Sequence, residues 1–493
     1  MSYKIEKNGW VFIHIEGKPY ERGVQHGKLV AEQLKRCIET TKFYCLFDYG
    51  KTWDFFVETA KQIYKPVIKK SYHEYYEEMR GIADGCTAAG FNTNIDEIIT
   101  WNSVLVIFDY WWPNAQENKV IIPSTLKKHV RSGGSRTVNP DGAPGRCSAF
   151  IAVGQDYTKD GKIVLAHNTF ENFVSGQYCN YILSIKPEQG SNILMQTQPG
   201  FIWSGTDFFV CKNEKKGTNF IGSETTIGGF LPYELGNPIF CRIRKGMQYA
   251  EKLEDFETFL LDKNTGGYAN SWIFGDINAN KIMRIELGLK YHKTEYKTNG
   301  YFIGFNGSYD PQIRNLECRA QGFLDIRRHQ GARHVRLGQL IEKYKGQLDI
   351  EKAKLILSDH YDVYLKRNNP CSRTVDSHYE LDDRAFMSQA DRPKPFQPRG
   401  AVDGKCVDSV TASRGGFYAK WGSSGNIPFF KDEFIQKNPI WNYLSDYLID
   451  RPNQNWSLFF INEKPHHTRN NKAKTIKKSR RVKKNKTKRN KNT

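Results

Sequence analysis

No run of 18 consecutive apolar residues occurs in the chain, so the sequence predicts no transmembrane helix. A cleavable secretion signal is not expected either. The opening "MSYKIEKNGWVFIHIEG" sets Lys4, Glu6 and Lys7 where such a signal needs an apolar core. The patterns GxxxxGK[ST], HExxH, GxSxG and GxGxxG are all missing, which removes the P-loop, zincin, serine-elbow and dinucleotide-binding readings. "GSSG" at 422–425 is a loop and gives a serine triad no support. The ten cysteines (Cys37, Cys45, Cys86, Cys147, Cys179, Cys211, Cys241, Cys318, Cys371 and Cys406) include no CxxC pair, which argues against a thiolate zinc site. Free thiols are the expected state for most of them. Sequons at Asn306, Asn455 and Asn485 matter only if the chain enters a secretory route.

Acidic residues are absent from 468–493, a stretch that holds 13 Lys or Arg. It accounts for most of the net charge of +20 and leaves the body only mildly basic. With almost no apolar residues this tail cannot pack and is expected to be disordered. It is either solvated without a specific ligand or a contact for nucleic acid, an anionic membrane or an acidic partner. The body is different: 39 % hydrophobic and 13 % aromatic residues are enough to bury a sizeable core. A length of 493 suggests two to four domains or one large α/β or α+β enzyme body.

Residues 10–110 read as one short strand, "GWVFIHIEG", followed by helices. Tyr72, Tyr75, Tyr76, Met79, Ile82, Ala83 and Cys86 form an apolar stripe at helical spacing. Residues 113–146 then lose periodicity and hold Pro, Gly, Ser and Asn with Lys127, Lys128, Arg131 and Arg136, as an exposed, cleavable loop would. From Cys147 the sequence alternates in strand fashion through "CSAFIAVGQDY", "KIVLAHNTF", "YILSIK", "NILMQTQ", "FFVCKN", "NFIGSETTI", "SWIFGDIN", "KIMRIELG" and "GYFIGFNG", with helix-like stretches at 241–263 and 332–358. Helices layered on packed sheets, an α+β arrangement, are expected. Asp160-Gly161 favours a tight reversal between the first two strands, which would carry His167 well away from Cys147; a longer loop would bring it close.

The junction "PGR-CSAF" carries the chemistry. A flexible loop ends at Arg146 and a strand begins at Cys147. Cleavage there would give Cys147 a free α-amine with an ordinary pKa of about 7.7–8.0 beside a thiol near about 8.5. One residue would then supply both nucleophile and base. The same thiol can attack the carbonyl before it, so the cut can be autocatalytic. As an alternative, Cys147 is an ordinary buried strand cysteine.

Ordered matches over about residues 10–460 add to this reading. They are Gly9-Trp10, "ERGVQHG" (21–27), "EEMRGIADG" (77–85), Trp101-Asn102, "YWWP" (110–113), "CSAF" (147–150) and "AHNTF" (166–170). "QPGFIWSGTDFF" (198–209), "ETTIGG" (224–229), "NTGGYANSW" (264–272) and "DGKCVDS" (403–409) follow. In these the chain resembles the phospholipase B-like proteins of the N-terminal-nucleophile hydrolases, a group that includes penicillin acyltransferase and bile-salt hydrolase relatives.

The resemblance implies a four-layer αββα fold. Residues 1–112 would be its N-terminal helical part, 113–146 the loop ending at the cleavage site, 147–467 the catalytic part and 468–493 the tail. It implies hydrolysis of acyl bonds, in lipid degradation, with an acyl-containing small molecule or phospholipid as partner and no metal or cofactor. Cys147 matches the nucleophile, His167 the histidine of an H-x-T-W motif, and Asn270 the asparagine that stabilises the oxyanion. Phe170 stands where the motif has Trp and lacks the indole donor. Thr225 or Thr226 matches a threonine near the nucleophile, and Arg333 in "GARHVRL" a site arginine. Relatives are often lysosomal or secreted. An amidase or acyltransferase acting on N-acyl amides, or a non-catalytic protein using the basic tail, are the alternatives.

Overall fold

The computed structural model describes residues 2–120, 122, 147–319, 322–384 and 395–463. Arg146, most of the 113–146 segment and the tail 468–493 therefore lie outside the described residues. Residues up to Asn462 belong to one unit.

Two sheets dominate it. A nine-stranded sheet runs in the order Tyr3–Lys7, Trp10–Gly17, Tyr181–Pro187, Asn192–Thr197, Phe209–Asn213, Thr218–Thr226, Asn270–Asp276, Lys281–Leu287 and His292–Lys297. Every pairing is antiparallel except the parallel one between Trp10–Gly17 and Tyr181–Pro187. That pairing needs a long connection, and the helices before Cys147 lie within it. A six-stranded antiparallel sheet runs Gly300–Gly304, Cys147–Val153, Val164–Asn172, Arg399–Asp408, Gly416–Trp421 and Ser457–Phe460.

Strand alternation sorts the side chains into three cores. Ile13, Leu183, Met195 and Phe274 of the nine-stranded sheet join the helices Pro19–Tyr44, Trp53–Ile63, His73–Ala88 and Ile239–Tyr249. Their strand neighbours Phe12, Ile182, Leu194 and Ile273 meet Ala149, Ile151, Leu165 and Val407 of the six-stranded sheet. Phe150, Ala152, Val164 and Cys406 face outward onto the helices His329–Lys343 and Ile350–Leu357. The molecule is thus a mixed α and β fold with large sheets, as the strand and helix patterning predicts. Among the described residues, no helix is long and apolar enough to cross a membrane.

Three local expectations shift. The helix Trp112–Gln116 continues past residue 112 into the stretch expected to be irregular. Each helix-like stretch resolves into two helices: Ile239–Tyr249 and Leu253–Leu261, then His329–Lys343 and Ile350–Leu357. The strands Arg399–Asp408, Gly416–Trp421 and Ser457–Phe460 have no counterpart in the sequence reading.

The helices Pro19–Tyr44 and His73–Ala88 meet through glycines spaced one turn apart. A Cβ on Gly23 would lie 2.1 Å from the Glu78 carbonyl oxygen, and one on Gly27 2.2 Å from that of Ile82. Gly81 and Gly85 make the reciprocal approaches, at 2.2 Å to the Tyr20 oxygen and 2.4 Å to the Val24 oxygen. This is what the glycines of "ERGVQHG" and "RGIADG" are for. A buried ion cluster closes the same contact: Arg22 donates to Glu78 (2.7 Å) and Glu74 (2.7 Å), and Arg244 donates to Glu78 (3.2 Å). Gly27→Ala must push main chain against main chain and is expected to lower stability by about 1–3 kcal/mol. Gly338→Ala, where the added Cβ meets nothing within 4 Å, should be neutral or gain up to about 1 kcal/mol. Urea midpoints check both; an unchanged midpoint for Gly27→Ala would contradict the close-packing account.

Candidate functional site

Cys147 opens a strand whose seven residues are all buried. It shares the parity of Ala149 and Ile151, which face the other sheet, whereas Ser148 shares that of Phe150 and faces the outer helices. Burial does not single it out, since nine of the ten cysteines are buried. Its partners do. The main-chain nitrogen of Cys147 donates to Asn306 Oδ1 (3.1 Å). Arg333 Nη2 donates to the same oxygen (2.8 Å), while its Nη1 reaches the Cys147 carbonyl and Ser148 Oγ (3.2 Å). Asn306 Nδ2 donates in turn to the carbonyl of Thr226 (2.8 Å). One asparagine therefore ties the first residue of the six-stranded sheet to the end of a strand in the nine-stranded sheet.

Asn306 sits in the left-handed region (φ 66) at the end of "GYFIGFN", a conformation that Asn tolerates better than most residues. Its side chain is fully buried and engaged. Arg333 projects from the helix His329–Lys343, and its guanidinium lies 5.2 Å from the centre of the Phe170 ring. Burial pushes its pKa down to about 10, which leaves it cationic at neutral pH. By alternation Phe170 faces away from His167, so the structure brings Phe170 to Arg333 rather than to the thiol.

The connection between the two strands is the longer of the two possibilities. Strand Cys147–Val153 passes through residues 154–163 to Val164–Asn172, and His167 pairs with Ala149 while Thr169 pairs with Cys147. His167 thereby falls on the thiol's face. A His167 ring nitrogen, Cys147 Sγ and a Glu224 carboxylate oxygen all lie within 4.8 Å of one another. Cys147 Sγ is 4.0 Å from Glu224 Oε1. Burial, then the Glu224 charge, pushes the thiol pKa well above its ordinary value. Burial, then Lys405, holds the His167 imidazole neutral. The sulfur is therefore held as a protonated thiol.

Charged groups that sequence reasoning did not single out surround the Cys147 thiol. Lys405, which pairs with His167 across the strands, donates to Asp403 Oδ1 (2.5 Å), Thr169 Oγ1 (2.7 Å) and Gln196 Oε1 (3.2 Å). The Tyr268 hydroxyl donates to Asp207 Oδ2 (2.7 Å) and Glu224 Oε1 (3.1 Å). Desolvation pushes the Asp207 carboxyl up to about 8. The matched segments "DGKCVDS", "SGTDFF" and "ETTIGG" contained all of these acids and Lys405; two carboxylates in apolar surroundings were the available signal. The Asp207 segment is strapped to the helix Ile95–Val106 by Trp101 Nε1 to the Pro199 carbonyl (2.7 Å) and by Asn102 Nδ2 to the Gly200 carbonyl (3.0 Å).

Asn270 opens the strand Asn270–Asp276, paired with Thr226. Both polar atoms of its amide are buried and make no hydrogen bond. Thr225 turns its side chain onto Gly304 of the six-stranded sheet, and Thr226 alternates to the face of Glu224. Among the described residues, two groups of side chains are spaced to hold a metal ion: Cys147, His167 and Glu224, and, separately, His360, Asp376 and His378.

No family model matches the chain. Over 252 residues, half of its length, it is 26 % identical to an uncharacterized protein of Archaeoglobus fulgidus. The chain spans about two fifths (38 %) of that protein's length. The likeness carries no activity with it.

The Asp207 carboxyl gives a pH test. Its proton is held more tightly in the fold than in the unfolded chain, so the stability it contributes is complete below about pH 4 and is lost as pH rises through about 8. Urea midpoints should fall between about pH 5 and pH 8.5 more steeply in the wild type than in Asp207→Asn, whose amide does not titrate. Parallel slopes would contradict a neutral buried Asp207.

Proposed function

We propose that this chain is a phospholipase B-like hydrolase that cleaves acyl bonds with Cys147 as an N-terminal nucleophile, freed by self-cleavage between Arg146 and Cys147. One observation carries the reading. The main-chain nitrogen of Cys147, which would become the α-amine, is already held by Asn306 Oδ1, and Arg333 fixes the carbonyl of the same residue. A strand cysteine with only a packing role has no use for a buried arginine and asparagine on its two main-chain groups, each costly to bury.

In the self-cleavage step the Cys147 sulfur attacks the Arg146 carbonyl. The thiol proton moves to the departing Cys147 nitrogen, which leaves a thioester that water hydrolyses. Turnover follows the same chemistry. The α-amine accepts the thiol proton as sulfur bonds to the substrate carbonyl carbon. In this mechanism the buried Asn270 amide, which has no partner of its own, donates to the oxyanion. The leaving alcohol or amine departs with the proton. Water then attacks the thioester, gives its proton back through the amine, and releases the acid and the thiol.

Helices, nine-stranded sheet, six-stranded sheet and helices follow one another through the three cores, which supports the four-layer αββα sandwich of such hydrolases. Two residues beyond Thr169, Glu171 lines an apolar cleft with Tyr44, Trp101, Val104, Phe108 and Gln198. An apolar cleft suits an acyl tail, whether its bond is an ester or an amide. Side-by-side assays with phospholipids and N-acyl amides decide between the two.

Denaturing electrophoresis of active protein should show fragments of 146 and 347 residues, the larger starting Cys-Ser-Ala-Phe. Cys147→Ala should stay intact and hydrolyse nothing. Asn270→Ala should lose about 10²–10³-fold in kcat. An uncut chain that hydrolyses acyl substrates, or full activity in Cys147→Ala, would sink the proposal.

A further inference from the structure

A second chemical cluster lies behind the strand of His167, on the outer side of the six-stranded sheet. Asn168, the next residue along that strand, donates to the carbonyls of Leu357 (2.8 Å) and Val375 (3.2 Å) and accepts from Ser424 Oγ (2.7 Å). Those contacts gather two segments, 357–378 and 422–425, around one point. His360 Nε2 is 3.0 Å from Asp376 Oδ2 and 3.3 Å from His378 Nε2, and His378 Nε2 is 3.3 Å from Asp376 Oδ2.

Three features distinguish this from an ordinary buried ion pair. The two imidazoles meet nitrogen to nitrogen, and neutral rings in that position can share only one hydrogen. His378 Nδ1 lies 2.7 Å from Glu380 Oε1, so a carboxylate holds the far nitrogen while Nε2 faces the shared point. Asp376 is fully buried, yet its Oδ1 has no hydrogen-bond partner; Oδ2 accepts from Ser423 Oγ (2.5 Å) and Gly425 N (2.8 Å).

The spacing is that of metal donors. With metal–ligand bonds of about 2.0–2.1 Å, the donor atoms of a tetrahedral zinc site lie about 3.3–3.4 Å apart. The observed separations are 3.0, 3.3 and 3.3 Å. Gly425 keeps the place open, since a Cβ there would come within 2.3 Å of His360 Cε1 and 2.7 Å of its Nε2. The His360 side chain is 10 % exposed, which gives an ion a way in, while Asp376 and His378 are closed off.

We propose that His360 Nε2, Asp376 and His378 Nε2 bind one divalent cation of the zinc class, with Glu380 as the supporting carboxylate. Two imidazoles and one carboxylate are the donor set of open zinc sites and leave a fourth position for water. The ion ties 357–378 to the 422–425 turn and, through Ser424 and Asn168, braces the strand that presents His167. It is separate from the Cys147 group and takes no part in the proposed acyl transfer.

The test uses the full chain, stripped with a chelator and then titrated with zinc chloride by calorimetry. A parallel sample is loaded with Co²⁺ and read by visible absorption. One zinc per chain, a rise in Tm and ligand-field bands of a low-coordinate cobalt site are expected. His360→Ala, at the partly exposed ligand, should abolish the bands and weaken zinc by at least about 100-fold, and Glu380→Gln should weaken it by about 10–100-fold. His73→Ala, at an exposed helix end, and Cys147→Ala should bind zinc like the wild type. No zinc uptake and no cobalt bands in the stripped wild type would overturn the proposal, even if His360→Ala fails to fold. So would zinc that survives His360→Ala but leaves in Cys147→Ala.

Discussion

The molecule turns on how the first residue of one central strand is held. Cys147 enters the six-stranded sheet with its nitrogen on Asn306 and its carbonyl on Arg333, and Asn306 also grips Thr226 in the opposite sheet. Each contact is buried, so each donor and acceptor depends on the others for partners it cannot obtain from water. Arg333 brings a full charge to that place and directs it at the oxygens of Cys147, Ser148, Asn306 and His329 and at an aromatic face. The two sheets are thus fixed against each other at the point where the thiol is presented.

Around that anchor, the electrostatics hold protons rather than release them. Burial and Glu224 keep the thiol protonated, burial and Lys405 keep His167 neutral, and desolvation keeps Asp207 protonated to about pH 8. Lys405 and Asp403 neutralise each other between the sheets. A site of this kind does not run on a preformed thiolate. It needs a base within reach whose proton affinity is near neutral, and an α-amine on Cys147 itself is such a base. The self-cleavage proposal supplies such a base.

Much of the scaffold was legible in the sequence. Apolar alternation from "CSAFIAV" to "GYFIGFNG" marks real strands, and the stripe through Tyr75, Met79 and Ile82 marks a real helix. Arg399–Asp408 was not legible because Gly400, Asp403, Gly404 and Lys405 look like a polar loop; the charges are buried only because they pair with each other inside. Asn306 stood out in the sequence only as a sequon in the strand-like run "GYFIGFNG", and only the tertiary contact with Cys147 gives it another role. The ten-residue connection after Val153 could not be read from Asp160-Gly161, whose Gly161 does take a positive φ but within a longer turn. His360, Asp376 and His378 have no motif spacing, and folding alone brings His360 to the other two.

The central claim is that acyl groups pass through the Cys147 sulfur. It is tested most directly by mixing the chain with an activated acyl ester, quenching in acid during turnover, and mapping peptides by mass spectrometry. The account predicts one acyl mass increment, labile to hydroxylamine, on the peptide that begins at Cys147 with its α-amine free. Turnover with no adduct on that peptide, or with the acyl group on a serine or lysine elsewhere, would contradict it.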